Sequence, residues 1–501
     1  MVSFGGTATA HTAASPAVSE AVRWRWELLL LWGAGMACVM LLVTGKIDTT
    51  PANGLVFNEM LVRLLHGRFD LNPSTIGDEA IVHGGRTYAY FGIFCALLRA
   101  PLLAVGQIGL DVTKASIVVA AALSLGARLM AVDLALSRAE GVSRPLRLVL
   151  LGAVAFGGES LQFLRPSIFQ EVCSWGAALA SVFVLLAARR IFAPDRRRTL
   201  LYAAMALTAG LALLCRVSFG LGLYAALGLM LLVDAWRGRA RLMSLGTLAP
   251  AAVILVLLAG AATGVNAARW DSPLTFVPFR NQLALVRHGD DRLQRLDRYG
   301  ELNLRRVPFA LQYYLAPVWA LGDGKGGLLL QKTQLELFDD VELPPSSLLL
   351  SDPVICVLAG LGVLALARRR SRLADPMSAG VALAGLALPI GVMLAAISLC
   401  FRYRMDFYPA LDLAACLGAA SLRPGPTHKA TLKFLLLGGV GAATAIVGLS
   451  FYYFAPLGPA LDLDLSRGWR GPIEDMANGR NPYAGHLRPD GSRVNVPPGR
   501  R

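Results

Sequence analysis

The sequence predicts an all-α protein, a polytopic bundle of about eleven membrane-spanning helices whose external loops carry interfacial helices. Three observations predict it. Of 501 residues, 55% are hydrophobic and only 16% charged, with a mean hydropathy of +0.54, whereas a soluble chain carries roughly a quarter charged residues. The apolar residues gather in runs close to the ~20 that cross a bilayer as a helix. The basic residues fall in short clusters between those runs, as they do in multi-pass membrane proteins. These features exclude a soluble enzyme, a disordered chain and a disulfide-stapled secreted module. They also exclude a nucleic-acid-binding domain, despite the formal charge of +15.

The spans lie at 27–44, 114–136, 146–160, 171–188, 199–215, 217–234, 244–265, 348–367, 377–400, 407–422 and 431–455. A twelfth apolar stretch, 91–110, is assigned instead to a helix lying on the outer surface, which its Arg99, Pro101 and Gly106 suit. Counting it as a span would put Arg138, Arg144 and Arg147 on the side opposite the other basic loops. With eleven spans, Arg23 and Arg25 of the N-terminus share the cytoplasmic face with five basic loops: Arg138 to Arg147, Arg189 to Arg198, Arg237 to Arg241, Arg368 to Arg372, and Arg423 to Lys433. The C-terminus then lies outside. The first 22 residues are small and polar and lack a cleavage-ready signal peptide, and Trp24 and Trp26 precede the first span as interfacial anchors, so this helix reads as a retained signal anchor.

The chain thus divides into a cytoplasmic segment 1–26, a membrane domain 27–455 with external loops 45–113 and 266–347, and an external, irregular tail 456–501 rich in Pro, Gly, Asn and Arg. The cytoplasmic loops are too short for a nucleotide-binding domain, and no GxGxxG or GxxxxGK[ST] motif stands in context. The loop 266–347 is too long for a mere connector. It offers a charged helical stretch, Arg287 to Asp297, and an aromatic one, Phe309 to Trp319, suited to the bilayer surface. The seven cysteines show no CxxC or Cys/His cluster and read as small packing residues.

The candidate chemistry therefore sits at the outer membrane boundary. Asp48 follows the first span at headgroup depth, where partial desolvation raises the basicity of a carboxylate; the alternative is a solvated loop residue. Glu59 lies in an amphipathic stretch, Phe57 to Leu65, and can instead face water. His66 and His83 are too isolated to form a metal site. Glu159, Arg165 and Glu171 bracket the turn before the fourth span, and Arg216 interrupts two apolar runs; such residues mark either a functional site or a simple ion pair. Arg402 and Arg404 form a basic group on the outer boundary, against the usual charge bias. They are suited to grip a lipid phosphate, or to anchor on anionic headgroups.

Four stretches carry a family resemblance: Asp48-Thr49-Thr50-Pro51 with Leu64-Leu65-His66-Gly67-Arg68-Phe69-Asp70-Leu71; Gly84-Gly85-Arg86-Thr87-Tyr88-Ala89-Tyr90-Phe91; Asn266-Ala267-Ala268-Arg269-Trp270-Asp271-Ser272-Pro273-Leu274; and Arg402-Tyr403-Arg404-Met405-Asp406-Phe407-Tyr408-Pro409. In this order, with Arg165-Pro166 and Glu171, the chain resembles the GT-C class of integral-membrane glycosyltransferases. More narrowly, it is similar to the bacterial group related to protein mannosyltransferases and the aminoarabinose transferase of lipid A.

The resemblance implies a hexosyl or pentosyl transferase of the cytoplasmic membrane. It would move a sugar from a polyprenyl-phosphate donor to a glycan, lipid or protein acceptor on the outer face. It implies that Asp48 is the general base, with Glu59 at the position the family often fills with Asp in the following helix. Thr49 stands where close relatives usually carry a second acidic residue. Arg402 and Arg404 would hold the leaving phosphate and stabilise its growing charge. Tyr88, Tyr90, Arg165, Glu171 and Arg269 would line the substrate pocket. The implied partners are the lipid-linked sugar, its acceptor and membrane lipids, with no nucleic acid. No metal ligands are assigned, and a need for a divalent cation is left open. The alternatives are a lipid or solute transporter, for which internal repeats and midplane breaks are wanting, and a non-catalytic envelope protein of the same scaffold.

Overall fold

In the computed structural model the described residues are 16–44, 53–163, 166–192, 198–238, 245–284, 290–316, 336–339, 346–368 and 375–454. The protein is an all-α, polytopic membrane bundle. Nine described helices are long and apolar enough to cross a membrane: Trp26–Val43, Thr113–Leu136, Arg144–Phe163, Ile168–Phe192, Arg198–Cys215, Val217–Arg237, Leu248–Trp270, Pro376–Ala395 and Thr427–Val447. Two shorter apolar helices, Pro353–Ala367 and Tyr408–Ala420, occupy the positions of the eighth and tenth expected spans. Every expected span is thus matched by a helix.

The boundaries differ where side chains cap or break the run. Ser143 accepts the Leu146 amide with Pro145 next to it, so that helix starts at Arg144. It unwinds after Ala155 into a 3₁₀ segment, Gly158–Phe163. The ninth span ends at Ala395 and not at 400, because the chain turns into a second 3₁₀ segment, Phe401–Asp406.

Interior charges cross-link the bundle. Arg128 makes a bidentate pair with Asp412 (Nε–Oδ2 2.7 Å) and also meets Glu159. Tyr408 donates to Asp352 at 2.8 Å. Pairing of this kind offsets the cost of burying a charge. At the end of the bundle that holds the basic clusters, Arg190 meets Asp234 at 2.8 Å and Asp375 at 3.1 Å, Arg237 meets Asp375, and Arg144 and Arg147 meet Glu27 and Asp133.

The opposite end carries the long loops. An amphipathic helix, Val56–Leu65, is followed by a β-hairpin, Ile81–His83 with Arg86–Tyr88, in the register Ile81↔Tyr88. Its turn residues Gly84 and Gly85 both have positive φ (55° and 73°), the backbone a two-residue type I′ hairpin turn requires. The stretch 91–110 holds two short helices, Phe94–Leu97 and Ala100–Ala104. It is not a free surface helix: Arg99 is 1% exposed and forms a bidentate pair with Glu171 at 2.7 and 2.8 Å. The long loop contributes helices Asp290–Tyr299 and Val307–Leu315, the latter burying Tyr313 and Tyr314 against Leu399 and Phe407.

Candidate functional site

At the loop end the chain encloses a cavity of about 270 Å³. Its wall is apolar on the bundle side, where Phe169, Val172, Leu213, Ala259 and Ala262 face it. Its polar groups include Tyr90, Arg216, Asn266, Arg269, Arg402 and Tyr403. An apolar slot with a few convergent polar groups is the usual form of a small-ligand site.

Each wall element is held by a specific contact. The first loop passes against the end of the Arg198–Cys215 helix at Gly92, where a Cβ would sit 2.1 Å from the Leu214 carbonyl oxygen. Only glycine permits that approach. The hairpin is tied to the large loop through the Ile81–Gln282 bridge and by Leu283, whose amide donates to the Ala80 carbonyl at 2.9 Å. His83 meets Asp271 at 2.9 Å, just beyond the end of the Leu248–Trp270 span. Asp271 itself has a φ of 54°, the one non-glycine residue in the left-handed region among the described residues. It turns the chain off the helix so that Pro273, Leu274 and Phe276 return to the cavity.

Three arginines line the cavity in different states. Arg216, at the break between two helices, donates to Asp406 at 3.1 Å and stacks 4.9 Å from the Tyr403 ring centre. Burial works against its charge, yet Asp406 holds its pKa above the usual arginine value. Burial likewise pushes the Asp406 carboxyl up, against the pull of Arg216 and Ser218. Arg402 lies over Phe169 (5.0 Å) and Tyr403 (5.4 Å), cation–π contacts that hold it at the rim. Arg269 differs from both. It is 3% exposed and donates to the Phe91 carbonyl at 2.8 Å. No carboxylate lies within ion-pair distance of it among the described residues, and its Nε has no hydrogen-bond partner.

Of the residues singled out from the sequence, the cavity gathers Tyr90, Arg216, Arg269 and Arg402. It excludes others, for identifiable reasons. Arg404 is fully buried, and its guanidinium is held by the Ser346 carbonyl (2.9 Å), Ser351 (2.7 Å) and Asp352 (3.5 Å), so it does not reach a ligand in this cavity. Glu171 is fully buried and committed to Arg99, so it holds the first loop onto the bundle and does not line a pocket. Tyr88 packs edge-on against Trp270 (5.5 Å) in a small cluster with Ile81 and Val277. Glu59 Oε1 accepts from Arg63 at 3.0 Å and from the Asn72 amide at 2.9 Å, away from the cavity. Asp48 and Arg165 lie outside the described residues.

Glu79 is the acidic residue that pattern reading passed over. It accepts from Gln282 at 3.0 Å and lies close enough to Arg402 and Tyr90 for its charge to act on both. Burial raises its pKa, with Arg402, Gln282 and Arg292 opposing. Burial also pushes the Tyr90 phenol well above its usual range. No spacing in the sequence ties Glu79 to a residue more than 300 positions away. Among the described residues, no three His, Cys, Asp or Glu side chains are grouped to hold a metal ion.

No family model and no curated protein matches the chain. Among solved structures it is similar to the archaeal oligosaccharyltransferase AglB from Archaeoglobus fulgidus, determined in complex with an inhibitory peptide and a dolichol-phosphate. The identity is 14% and the TM-score 0.46, over 96% of this chain and 61% of that one. The chain therefore spans about three fifths of the length of that protein.

Proposed function

We propose that the protein is a membrane glycosyltransferase of the GT-C type, transferring a hexose or pentose from a polyprenyl-phosphate donor to a glycan, lipid or protein acceptor of the cell envelope. The observation that carries this reading is Arg269. A guanidinium buried without a carboxylate is unfavourable in the empty protein, and an anion entering the cavity would relieve it. The apolar wall beside it suits an isoprenoid chain, and Asn266, Tyr90 and Arg402 suit the head. A phosphate on a lipid has both parts.

In this proposal Arg269 and Arg402 hold the donor phosphate. Asp48 takes the proton of the acceptor hydroxyl as its oxygen attacks the anomeric carbon. The bond from that carbon to the phosphate oxygen breaks, and polyprenyl phosphate leaves with the negative charge the arginines stabilise. Inversion at the anomeric carbon follows from in-line attack. The basic end of the bundle would face the cytoplasm and the cavity the outer face of the cytoplasmic membrane, by the charge bias of the loops. The chain would run from a cytoplasmic N-terminus through the membrane domain 27–455 to an external tail.

The test has two arms. Purified full-length protein in neutral detergent should retain a long-chain polyprenyl phosphate, and not the uncharged polyprenol of equal length. Mass spectrometry of envelope glycans from a strain lacking the gene should reveal a missing sugar. Equal retention of phosphate and alcohol would remove the donor assignment. A labelled lipid moved across vesicles without chemical change would replace transfer with transport.

A further inference from the structure

A second cavity, of about 630 Å³, lies at the opposite end of the bundle. Arg138, Arg368 and Arg423 line it together with Glu140, Leu361, Leu364 and Leu422. The recess has a mechanical origin. Helices Pro353–Ala367 and Tyr408–Ala420 have 15 and 13 residues, so at 1.5 Å per residue they are roughly 20 Å long, against the ~30 Å of a hydrocarbon core. They pack backbone to backbone: a Cβ at Gly418 would lie 1.9 Å from the Leu358 carbonyl oxygen. The long Thr113–Leu136 helix reaches further and brings Arg138 to the gap. The recess lies where the ends of these two helices, at Arg368 and at Ala420 to Arg423, meet Arg138 and Glu140.

The arginines of this hollow also differ from others at the same end. Arg144, Arg147, Arg190 and Arg237 are bound to carboxylates. Arg138 and Arg368 have no carboxylate within ion-pair distance among the described residues. Arg423 has only Glu140 at 4.0 Å, with both side chains at least 60% exposed. Among the described residues, three arginines with one exposed carboxylate between them thus converge, from three separate segments, on a floor where Leu361 and Leu364 are 38% and 49% exposed. Three positive charges beside one negative charge, above exposed leucines, call for a ligand with an anionic head and an apolar tail. Basic pockets between helices at membrane ends take anionic phospholipid headgroups.

We infer that this recess is a binding site for an anionic glycerophospholipid, its phosphate toward Arg138, Arg368 and Arg423 and an acyl chain along Leu361 and Leu364. The site is remote from the donor cavity and independent of the proposed transfer. Native mass spectrometry and thermal unfolding of the full-length protein test it, with phosphatidylglycerol compared against phosphatidylcholine. Each arginine removed should reduce the preference for phosphatidylglycerol roughly five-fold. The variant Arg138→Gln/Arg368→Gln/Arg423→Gln should therefore lose it, while Arg198→Gln/Lys429→Gln/Lys433→Gln, which alters basic residues outside the recess, should keep it. Leu364→Trp, which fills the floor and leaves the charges, should also weaken retention. Equal losses in the two triple variants would reduce the effect to general surface charge and overturn the site. So would an unchanged preference in the recess variant, given an intact melting transition in phosphatidylcholine.

Discussion

Arg99 and Glu171 meet in a bidentate pair at 2.7 and 2.8 Å, both buried, and Arg99 also donates to Asn58 at 3.1 Å. The pair fastens the first loop to the start of the Ile168–Phe192 helix and so positions Tyr90 and Phe91 at the cavity. Removing one member leaves a buried charge without its partner. Glu171→Gln or Arg99→Met should therefore cost about 3–5 kcal/mol. The double variant Arg99→Met/Glu171→Leu should recover much of that loss. Thermal unfolding in detergent reads both.

Arg269 carries the opposite expectation. Because no carboxylate compensates it, Arg269→Met should leave the empty protein as stable as before or raise its melting temperature. The same change should weaken polyprenyl phosphate binding by roughly ten- to hundred-fold, the worth of a charge-assisted hydrogen bond. A stability loss with unchanged binding would make Arg269 a structural residue.

Asp48→Asn should abolish sugar transfer while retaining polyprenyl phosphate. Binding and turnover separate here because the base acts on the acceptor, not on the phosphate. A folded Asp48→Asn protein with full transfer activity would remove Asp48 as the base.

Two loop carboxylates should act oppositely on stability as pH changes. The raised pKa of Glu79 means the folded state holds its proton more tightly than the unfolded chain. Its contribution is largest below the ordinary glutamate pKa and declines as pH rises through the folded value. Hydrogen bonding from Arg68 lowers the Asp70 pKa, despite the opposing effect of burial, so its contribution is present above the ordinary aspartate pKa and is lost as pH falls through the folded value. Unfolding measured from acid to neutral pH should show a weaker decline toward neutrality in Glu79→Gln and a weaker acid loss in Asp70→Asn.

Gly92→Ala should destabilise the loop by about 1–3 kcal/mol or more, since its Cβ meets backbone oxygens that cannot rotate away. The comparable change at Gly109, where a Cβ meets open space, should be mild by comparison. Melting temperatures of the two variants give the comparison.

Much of the fold was legible because the relevant information is local. Apolar run length measured against bilayer thickness located each spanning helix, and the Gly84–Gly85 pair contained its hairpin, although no strand was expected there. The site was less legible. Arg404 and Glu171 looked reactive because charge next to an apolar run is equally the mark of a ligand site and of an internal ion pair. Their partners, Asp352 and Arg99, stand 52 and 72 positions away.

By itself the amino-acid order determined that this chain is a multi-pass helical bundle with its basic clusters between the apolar runs, since hydrophobic transfer acts on each segment almost independently. The three-dimensional packing alone decided which charges satisfy one another and which are left facing a cavity. Pairing depends on distances between segments far apart in the chain, and a guanidinium such as Arg269 is distinguished from Arg404 only by what the fold brings beside it.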